Sequence, residues 1–140
     1  MTKELWLNLP VRDVRKSKEF FTQIGFTLNT GFPENDEAAS ILIGEKNTVV
    51  MLFPESTFQK FTGNGLVDTT QGTEVLISID AESKEAVDAL LQKVVDAGGT
   101  IYGEPQDQGW MYGAGFADLD GHRWNVLYMD QSQMPKSELV

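Results

Sequence analysis

The sequence predicts an α+β fold in which a β-α-β-β-β module occurs twice in succession. Strand and helix patterns follow each other in the same order in both halves of the 140 residues. Each half also contains one amphipathic helix that stops at glycine, and the first of these helices starts after a capping Asp. We expect a single domain over 1–140, with module 1 at about 4–54, a linker at about 55–72 and module 2 at about 73–130.

Module 1 opens with a strand of strictly alternating character, in which Leu5, Leu7 and Leu9 share one face and Trp6 and Asn8 share the other. A helix capped by Asp13 then runs through about Gln23 and ends at Gly25. Its apolar stripe comprises Val14, Ser17, Phe21 and Ile24. Three further strands are predicted at 26–29, 38–43 and 48–53.

Module 2 repeats the pattern with a strand at 74–79, a helix from Ser83 to Ala97 stopped by Gly98-Gly99, and strands at 100–104, 111–117 and 123–128. A turn signature, Asp118-Leu-Asp-Gly121, joins the last two strands. Within the linker, Phe58 and Phe61 favour a short packed helix. The tail beyond Asp130 is polar and is expected to be mobile. In the antiparallel or mixed sheets that result, one face would lie on the helix, and the two free faces would curl into a cup.

Composition excludes several classes of function. The net charge of −10 argues against nucleic-acid binding, and the acidity mildly favours neutral or cationic small ligands, unless it serves solubility alone. No apolar run has the length of about 20 residues that a bilayer requires, and the first residues lack the apolar core of a secretory signal. There is no cysteine, which excludes disulfides and thiolate metal sites. We therefore expect a cytoplasmic protein with a small-molecule partner.

Two groups of motifs resemble the glyoxalase/bleomycin-resistance/extradiol-dioxygenase superfamily, also called the vicinal oxygen chelate superfamily. The first group is Leu9-Pro-Val-Arg-Asp13, Ser17, Phe20-Phe21 and Ile24-Gly25-Phe26, and the second is Asp118-Leu-Asp-Gly-His122 with Trp124-Asn-Val-Leu127. Their order and spacing cover residues 4 to about 130. The sequence looks most similar to the bacterial lactoylglutathione lyase-like group. The resemblance implies a ligand cup and a homodimer.

The resemblance also implies four metal-ligand positions, which in this sequence are occupied by Trp6, Met51, Glu74 and Asn125. Divalent first-row metals prefer imidazole or carboxylate donors, and of these four residues only Glu74 provides one. We therefore expect no metal and no cofactor. The single histidine, His122, lies in the Asp-Leu-Asp-Gly-His turn, where a structural role is the simpler interpretation.

Strand alternation selects the side chains that would face the cup. Glu74 is the candidate catalytic base, because a carboxylate in an apolar cup must find a partner or raise its pKa. The candidate ligand-binding residues are Trp6, Asn8, Met51, Phe53, Tyr112, Phe116 and Asn125, with Trp110 at the rim on a glycine-rich loop. The apolar members of this set are equally compatible with an ordinary core.

Two functions remain open at this stage. The first is a metal-free module that binds a small organic ligand and catalyses nothing, as the drug-resistance proteins of the superfamily do. The second is a lyase or isomerase of the lactoylglutathione lyase-like type that uses Glu74 as its base. The expected cup contains no Lys or Arg to stabilise an enediolate, which favours binding over catalysis.

Overall fold

The computed structural model describes residues 1–33 and 35–135. Two compact units divide the chain, Met1–Gly72 and Thr73–Val140. In these described ranges each unit contains a four-stranded mixed sheet, and the two sheets are accompanied by three α-helices. The α+β fold class with two βαβββ modules is thus confirmed. None of the helices in the described ranges is long and apolar enough to cross a membrane.

The first unit contains all the elements of module 1 and one more helix. In chain order these are β1 (Trp6–Val11), α1 (Val14–Gln23), β2 (Thr27–Leu28), β3 (Ala39–Ile43), β4 (Thr48–Pro54) and α2 (Glu55–Thr62). The strands lie in the order β1-β4-β3-β2. Because β1 pairs with β4 in parallel and the other pairs are antiparallel, the sheet is mixed. This sheet is called sheet 1.

Local sequence sets both ends of α1. The Asp13 side chain accepts a hydrogen bond from the Lys16 backbone N–H at 3.0 Å, as expected for an N-cap. Gly25 has φ of +111°, a conformation that favours glycine and lets the chain turn away after the helix. Between these ends, α1 packs on β3 and β4 through Phe20 and Phe21, which are both buried.

The second unit repeats the same topology. Its elements are β5 (Leu76–Asp80), α3 (Lys84–Asp96), β6 (Thr100–Asp107), β7 (Met111–Ala117), β8 (Arg123–Met129) and a short 3-10 turn at Gln131–Gln133. The strand order β5-β8-β7-β6 matches that of sheet 1, and β5 is likewise parallel to β8. Ser83 caps α3 by accepting the Ala86 N–H at 3.0 Å. This sheet is called sheet 2.

Three boundaries differ from those expected or lie outside the structure. The segment predicted as a linker contains α2, which confirms the short helix anticipated there. Strand β5 begins at Leu76 rather than at Glu74. Leu76 pairs with Arg123, which is the first residue of β8. The residues before Arg123 form a turn, so Glu74 has no strand residue of β8 to pair with. The mobile tail was expected beyond Asp130, and its residues 136–140 lie outside the described residues.

Candidate functional site

The face of sheet 1 that is turned away from α1, here called open face 1, carries the first group of candidate residues. Val50 and Leu52 of β4 are buried on the α1 side. Strand alternation therefore places Met51 and Phe53 on open face 1. In the parallel register Trp6 pairs with Val49 and Asn8 pairs with Met51, so both side chains of β1 share that face. The structure brings these four candidates together on neighbouring strands.

Trp6 is the most exposed of the large side chains on open face 1. Its side chain is 62% exposed, whereas Met51 and Phe53 are half-buried. The Phe53 ring has an edge contact with Phe61 of α2, with ring centroids 5.1 Å apart and ring planes at 84°. Helix α2 therefore borders the part of open face 1 that contains Phe53.

Open face 2 is the corresponding face of sheet 2, turned away from α3. Trp124 and Val126 of β8 are fully buried on the helix side. The alternating residues Arg123, Asn125 and Leu127 consequently lie on open face 2. Ser78 of β5 pairs directly with Asn125 and shares this face.

Two candidates, Tyr112 and Phe116, were assigned to the wrong face of β7. Phe116 pairs with Trp124, is 0% exposed and stacks on the Trp124 ring at a centroid distance of 6.0 Å. The Tyr112 hydroxyl donates a 2.7 Å hydrogen bond to Asp88 Oδ1 on α3. Both side chains thus belong to the helix-covered face, where the core requires bulk. The residues of β7 that lie on open face 2 include Gly113 and Gly115.

A residue that the sequence interpretation missed, Tyr102 of β6, lies across the floor of open face 2. A Cβ atom added to Gly115 would come 2.4 Å from Tyr102 Cζ, so the ring occupies the space that glycine leaves on β7. The Tyr102 hydroxyl reaches β8, where it donates to Asn125 Oδ1 at 3.0 Å and lies 3.3 Å from the Trp124 carbonyl oxygen. Two glycines spaced two residues apart in one strand were the available signal for such a side-chain crossing.

Arg123 covers the other side of the Tyr102 ring. Its guanidinium carbon lies 4.2 Å from the ring centroid, which is a cation–π contact. Burial raises the pKa of Tyr102, and the nearby Arg123 charge only partly opposes this effect. The phenol therefore remains a neutral hydrogen-bond donor at physiological pH.

A shallow concavity of about 210 Å³ lies beside these groups on open face 2. Its wall includes Tyr102, Asn125 and Leu127, and its floor includes Gly113 and Gly115. Glu104 and Gln106 of β6 line its outer side. Neither glycine projects a side chain onto this face, and the side chains of Leu127 and Tyr102 fill the space above Gly113 and Gly115.

Glu74 and Trp110 lie outside the strands. Glu74 is exposed, two residues before β5, and its carboxylate makes no hydrogen bond or ion pair with a residue of the described ranges. Trp110 is half-buried in the β6–β7 turn, and its carbonyl oxygen accepts a 2.7 Å hydrogen bond from the Asp130 N–H. Their assigned roles, as base and as rim residue, remain predictions.

The Asp-Leu-Asp-Gly-His motif forms a structural turn around a buried carboxylate. Asp118, which is 6% exposed, accepts hydrogen bonds from the backbone N–H groups of Asp120 and His122 at 3.0 Å each. Its other oxygen accepts the Trp124 indole N–H at 3.1 Å. Burial raises the pKa of Asp118, although His122 and these three donors oppose the shift. The motif thus fixes the start of β8, including Arg123 and Asn125.

Comparison with known proteins assigns the chain to a family. The family model of the Glyoxalase/Bleomycin resistance protein/Dioxygenase superfamily matches residues 5–126. The chain belongs to this superfamily. The membership agrees with the duplicated βαβββ topology described above. A comparison with curated proteins found no match.

Solved structures of other superfamily-like proteins share the fold. The hypothetical protein SA1046 from S. aureus is 38% identical with a TM-score of 0.80, over 91% of this chain and 94% of that one. A glyoxalase/bleomycin resistance protein/dioxygenase family enzyme from Burkholderia phytofirmans PsJN is 18% identical, with a TM-score of 0.73 over 89% and 96% of the two chains. A lactoylglutathione lyase from Agrobacterium tumefaciens is 13% identical, with a TM-score of 0.65 over 96% and 98%. At these lower identities the likeness concerns the fold alone.

The residues at the superfamily's metal-ligand positions do not fit a divalent metal in this chain. Trp6 has only an N–H donor, and the Met51 thioether suits soft ions. The side-chain oxygen of Asn125 already accepts the Tyr102 hydroxyl. Across residues 1–33 and 35–135, no three or more His, Asp or Glu side chains group closely enough to hold a metal. No chemical step is assigned to a metal here.

Proposed function

We propose that this superfamily member binds a small organic molecule on its open faces and that its degenerate ligand positions serve binding instead of metal coordination. The observation that carries the proposal is Trp6, whose indole is 62% exposed on open face 1. A large aromatic side chain that lies outside the core supplies the apolar area that recognises flat organic molecules. Met51 and Phe53 extend this apolar surface on the adjacent strand.

Open face 2 supports the proposal with a different chemistry. Ser78, Arg123 and Asn125 present polar groups there, next to the concavity floored by glycine. Small-molecule sites typically combine apolar walls with a few polar groups that fix orientation.

Catalysis by Glu74 receives less support from the geometry. The carboxylate is exposed and lies outside β5, whereas a general base at neutral pH needs an environment that holds its proton more tightly. The alternative, a lyase or isomerase of the lactoylglutathione lyase-like type, predicts that the chain has lactoylglutathione lyase activity. If the unmodified protein has this activity and Glu74→Gln loses it, the alternative is supported. If the unmodified protein lacks the activity, the result favours the binding function over the alternative.

We also propose that the protein is a homodimer. Among the described residues, the edge strands β1 and β5 each pair with a single strand of their own sheet. Leu5, just before β1, and Leu76, in β5, are large apolar residues that are exposed. A partner subunit commonly covers such edges. Light scattering should give about twice the chain mass of 15.6 kDa at micromolar concentration, and a mass equal to one chain would refute the dimer.

A neutral aromatic probe tests the proposed binding. We expect 1-naphthalenemethanol, titrated into the ¹⁵N-labelled full-length protein, to shift the indole N–H signal of Trp6. Trp6→Ala should weaken the affinity about fivefold or more, since it removes the largest exposed apolar surface of open face 1. Val95→Ala is the matched control, because Val95 is 51% exposed on α3 and lies on neither open face. The proposal fails if the unmodified protein does not bind the probe, or if both variants lose affinity equally.

A further inference from the structure

Three hydrogen-bond donors lie close together on open face 2. They are the Ser78 hydroxyl, the Asn125 Nδ2 amide and the Arg123 guanidinium, here called the donor cluster. Ser78 and Asn125 are direct partners across β5 and β8. Arg123 precedes Asn125 by two residues on the same face, a separation of about 7 Å along a strand. A group of a few atoms can therefore contact more than one of them.

Tyr102 fixes which end of the Asn125 amide is presented. Because Asn125 Oδ1 accepts the Tyr102 hydroxyl at 3.0 Å, the amide nitrogen is the end that remains for other contacts. No other hydrogen bond engages the Asn125 or Ser78 side chain within the described part of the chain. The Asn125 amide thus presents its donor end, and the acceptors on the same face include the carboxylates of Asp80 and Glu104.

Tyr102 also holds Arg123 in place without neutralising it. The guanidinium lies 4.2 Å above the ring centroid and forms no ion pair with any carboxylate among the residues described. This contact restricts the conformations of the Arg123 side chain before any ligand binds, so less side-chain entropy is lost on binding. A cation that is positioned but unpaired is suited to recognising an anion.

We propose that the donor cluster binds the carboxylate of an organic anion. The apolar body of this anion would lie on the apolar surface of open face 2 around Leu127. This inference rests on the proposed function and names the class of its ligand. Arg123 supplies charge-assisted hydrogen bonds, and Asn125 Nδ2 and Ser78 complete the set of donors. The proposal revises our expectation of a neutral or cationic ligand, which followed from overall acidity alone.

For a bound carboxylate, direct contact with the Arg123 guanidinium has a larger effect on affinity than the net charge of −10. Exposed charges farther apart than about 8 Å are largely screened at physiological ionic strength, whereas a guanidinium in contact with a carboxylate is not. Asp80, the acidic residue of β5 on the same face, pairs with Leu127 and lies two positions beyond Ser78. It therefore borders the cluster on the side away from Arg123.

A pair of probes of matched shape tests the inference. We expect the unmodified protein to bind 1-naphthoate about tenfold more tightly than 1-naphthalenemethanol at low ionic strength, and to lose most of this preference at 1 M salt. In Arg123→Gln the ratio of the two affinities should fall to about one. Arg15→Gln is the control for net charge, because Arg15 is an exposed arginine of α1 paired with Asp36, and this variant should keep the tenfold ratio.

Tyr102→Phe separates positioning from contact. The variant keeps the ring beneath Arg123 but releases the Asn125 amide, so we expect the affinity ratio to fall about threefold and the Asn125 side-chain amide signals to shift. If Tyr102 had a purely structural role, Tyr102→Phe would lower the free energy of unfolding and leave the ratio of the two affinities unchanged.

The failures of the inference and of the proposed function can be distinguished. Equal affinity for the two probes in the unmodified protein would overturn the carboxylate assignment and leave binding intact. A preference for naphthoate that survives Arg123→Gln would also overturn it. Failure of both probes to bind would refute the proposed function together with the inference.

Discussion

Gly115→Ala should displace the Tyr102 side chain and so disrupt open face 2 without replacing any polar residue. The added Cβ would lie 2.4 Å from Tyr102 Cζ, 2.6 Å from Cε1 and 2.7 Å from the hydroxyl oxygen. Carbon atoms pack at about 3.5 Å, so the ring must move by roughly 1 Å. The hydroxyl, now 3.0 Å from Asn125 Oδ1, would then lie beyond hydrogen-bonding distance.

The expected loss of stability is about 1 kcal/mol. The hydrogen bond contributes about 1 kcal/mol and the contact with Arg123 about 0.5–1 kcal/mol. The smaller unfolded-state entropy of alanine returns about 0.5–1 kcal/mol, because Gly115 has no positive φ that alanine would resist. Gly103→Ala is the matched control, since Gly103 pairs with Gly115 and its added Cβ would come no closer than 3.5 Å to any atom.

Urea denaturation with NMR of the Asn125 side-chain amide measures both effects. Gly115→Ala should lower the free energy of unfolding and shift the amide signals, while Gly103→Ala should be neutral or slightly stabilising and leave them in place. If both variants gave the same free energy of unfolding and the Asn125 signals did not move, the Tyr102 crossing would be refuted.

Three further outcomes are expected. Asp118→Asn places an amide N–H against the Trp124 indole N–H and should cost about 2–3 kcal/mol in urea denaturation, whereas the exposed Asp96→Asn should cost less than about 0.5 kcal/mol. Because burial raises the pKa of Asp118, its protonated form favours the folded state. That contribution is present below the ordinary aspartate pKa and is lost as pH rises through the raised value. The gap in unfolding free energy between the unmodified protein and Asp118→Asn should therefore narrow as pH rises above the ordinary aspartate pKa, and a constant gap would contradict the shift. Millimolar Zn²⁺, Ni²⁺ or Mn²⁺ should not raise Tm, and a rise abolished by Glu74→Ala would contradict this.

Local signals were sufficient to predict the helices and most strands. Asp13 caps α1 as expected, because a capping side chain acts on backbone N–H groups within three residues. The helix predicted from Ser83 begins at Lys84, and Ser83 is its cap. The repeated order of elements was likewise readable, since each strand and helix has its own period. These features depend on neighbours in sequence, and they were predicted at close to their observed positions.

The faces of β7 were not predictable by the same means. Alternation separates Tyr112 and Phe116 from Gly113 and Gly115, but it does not say which set faces the helix. The answer depends on β6 and β8, because Tyr102 and Leu127 fill the space above the two glycines. The extent of β5 depends in the same way on where β8 begins, which is why Glu74 fell outside the strand. Cross-strand information of this kind is absent from a single strand's pattern.

The separation of helix-covered and open faces has a consequence for how this chain tolerates change. The residues that pack on the helix-covered face of each sheet are almost entirely buried, and they include Val50, Leu52, Phe116 and Trp124. Trp6, Ser78 and Arg123 are exposed and contribute little to that packing. Substitutions on the open faces can thus change the surface chemistry at small thermodynamic cost, because the fold depends little on these side chains. Two halves of identical topology can therefore acquire different surface chemistries, one aromatic and one rich in donors, on the same scaffold.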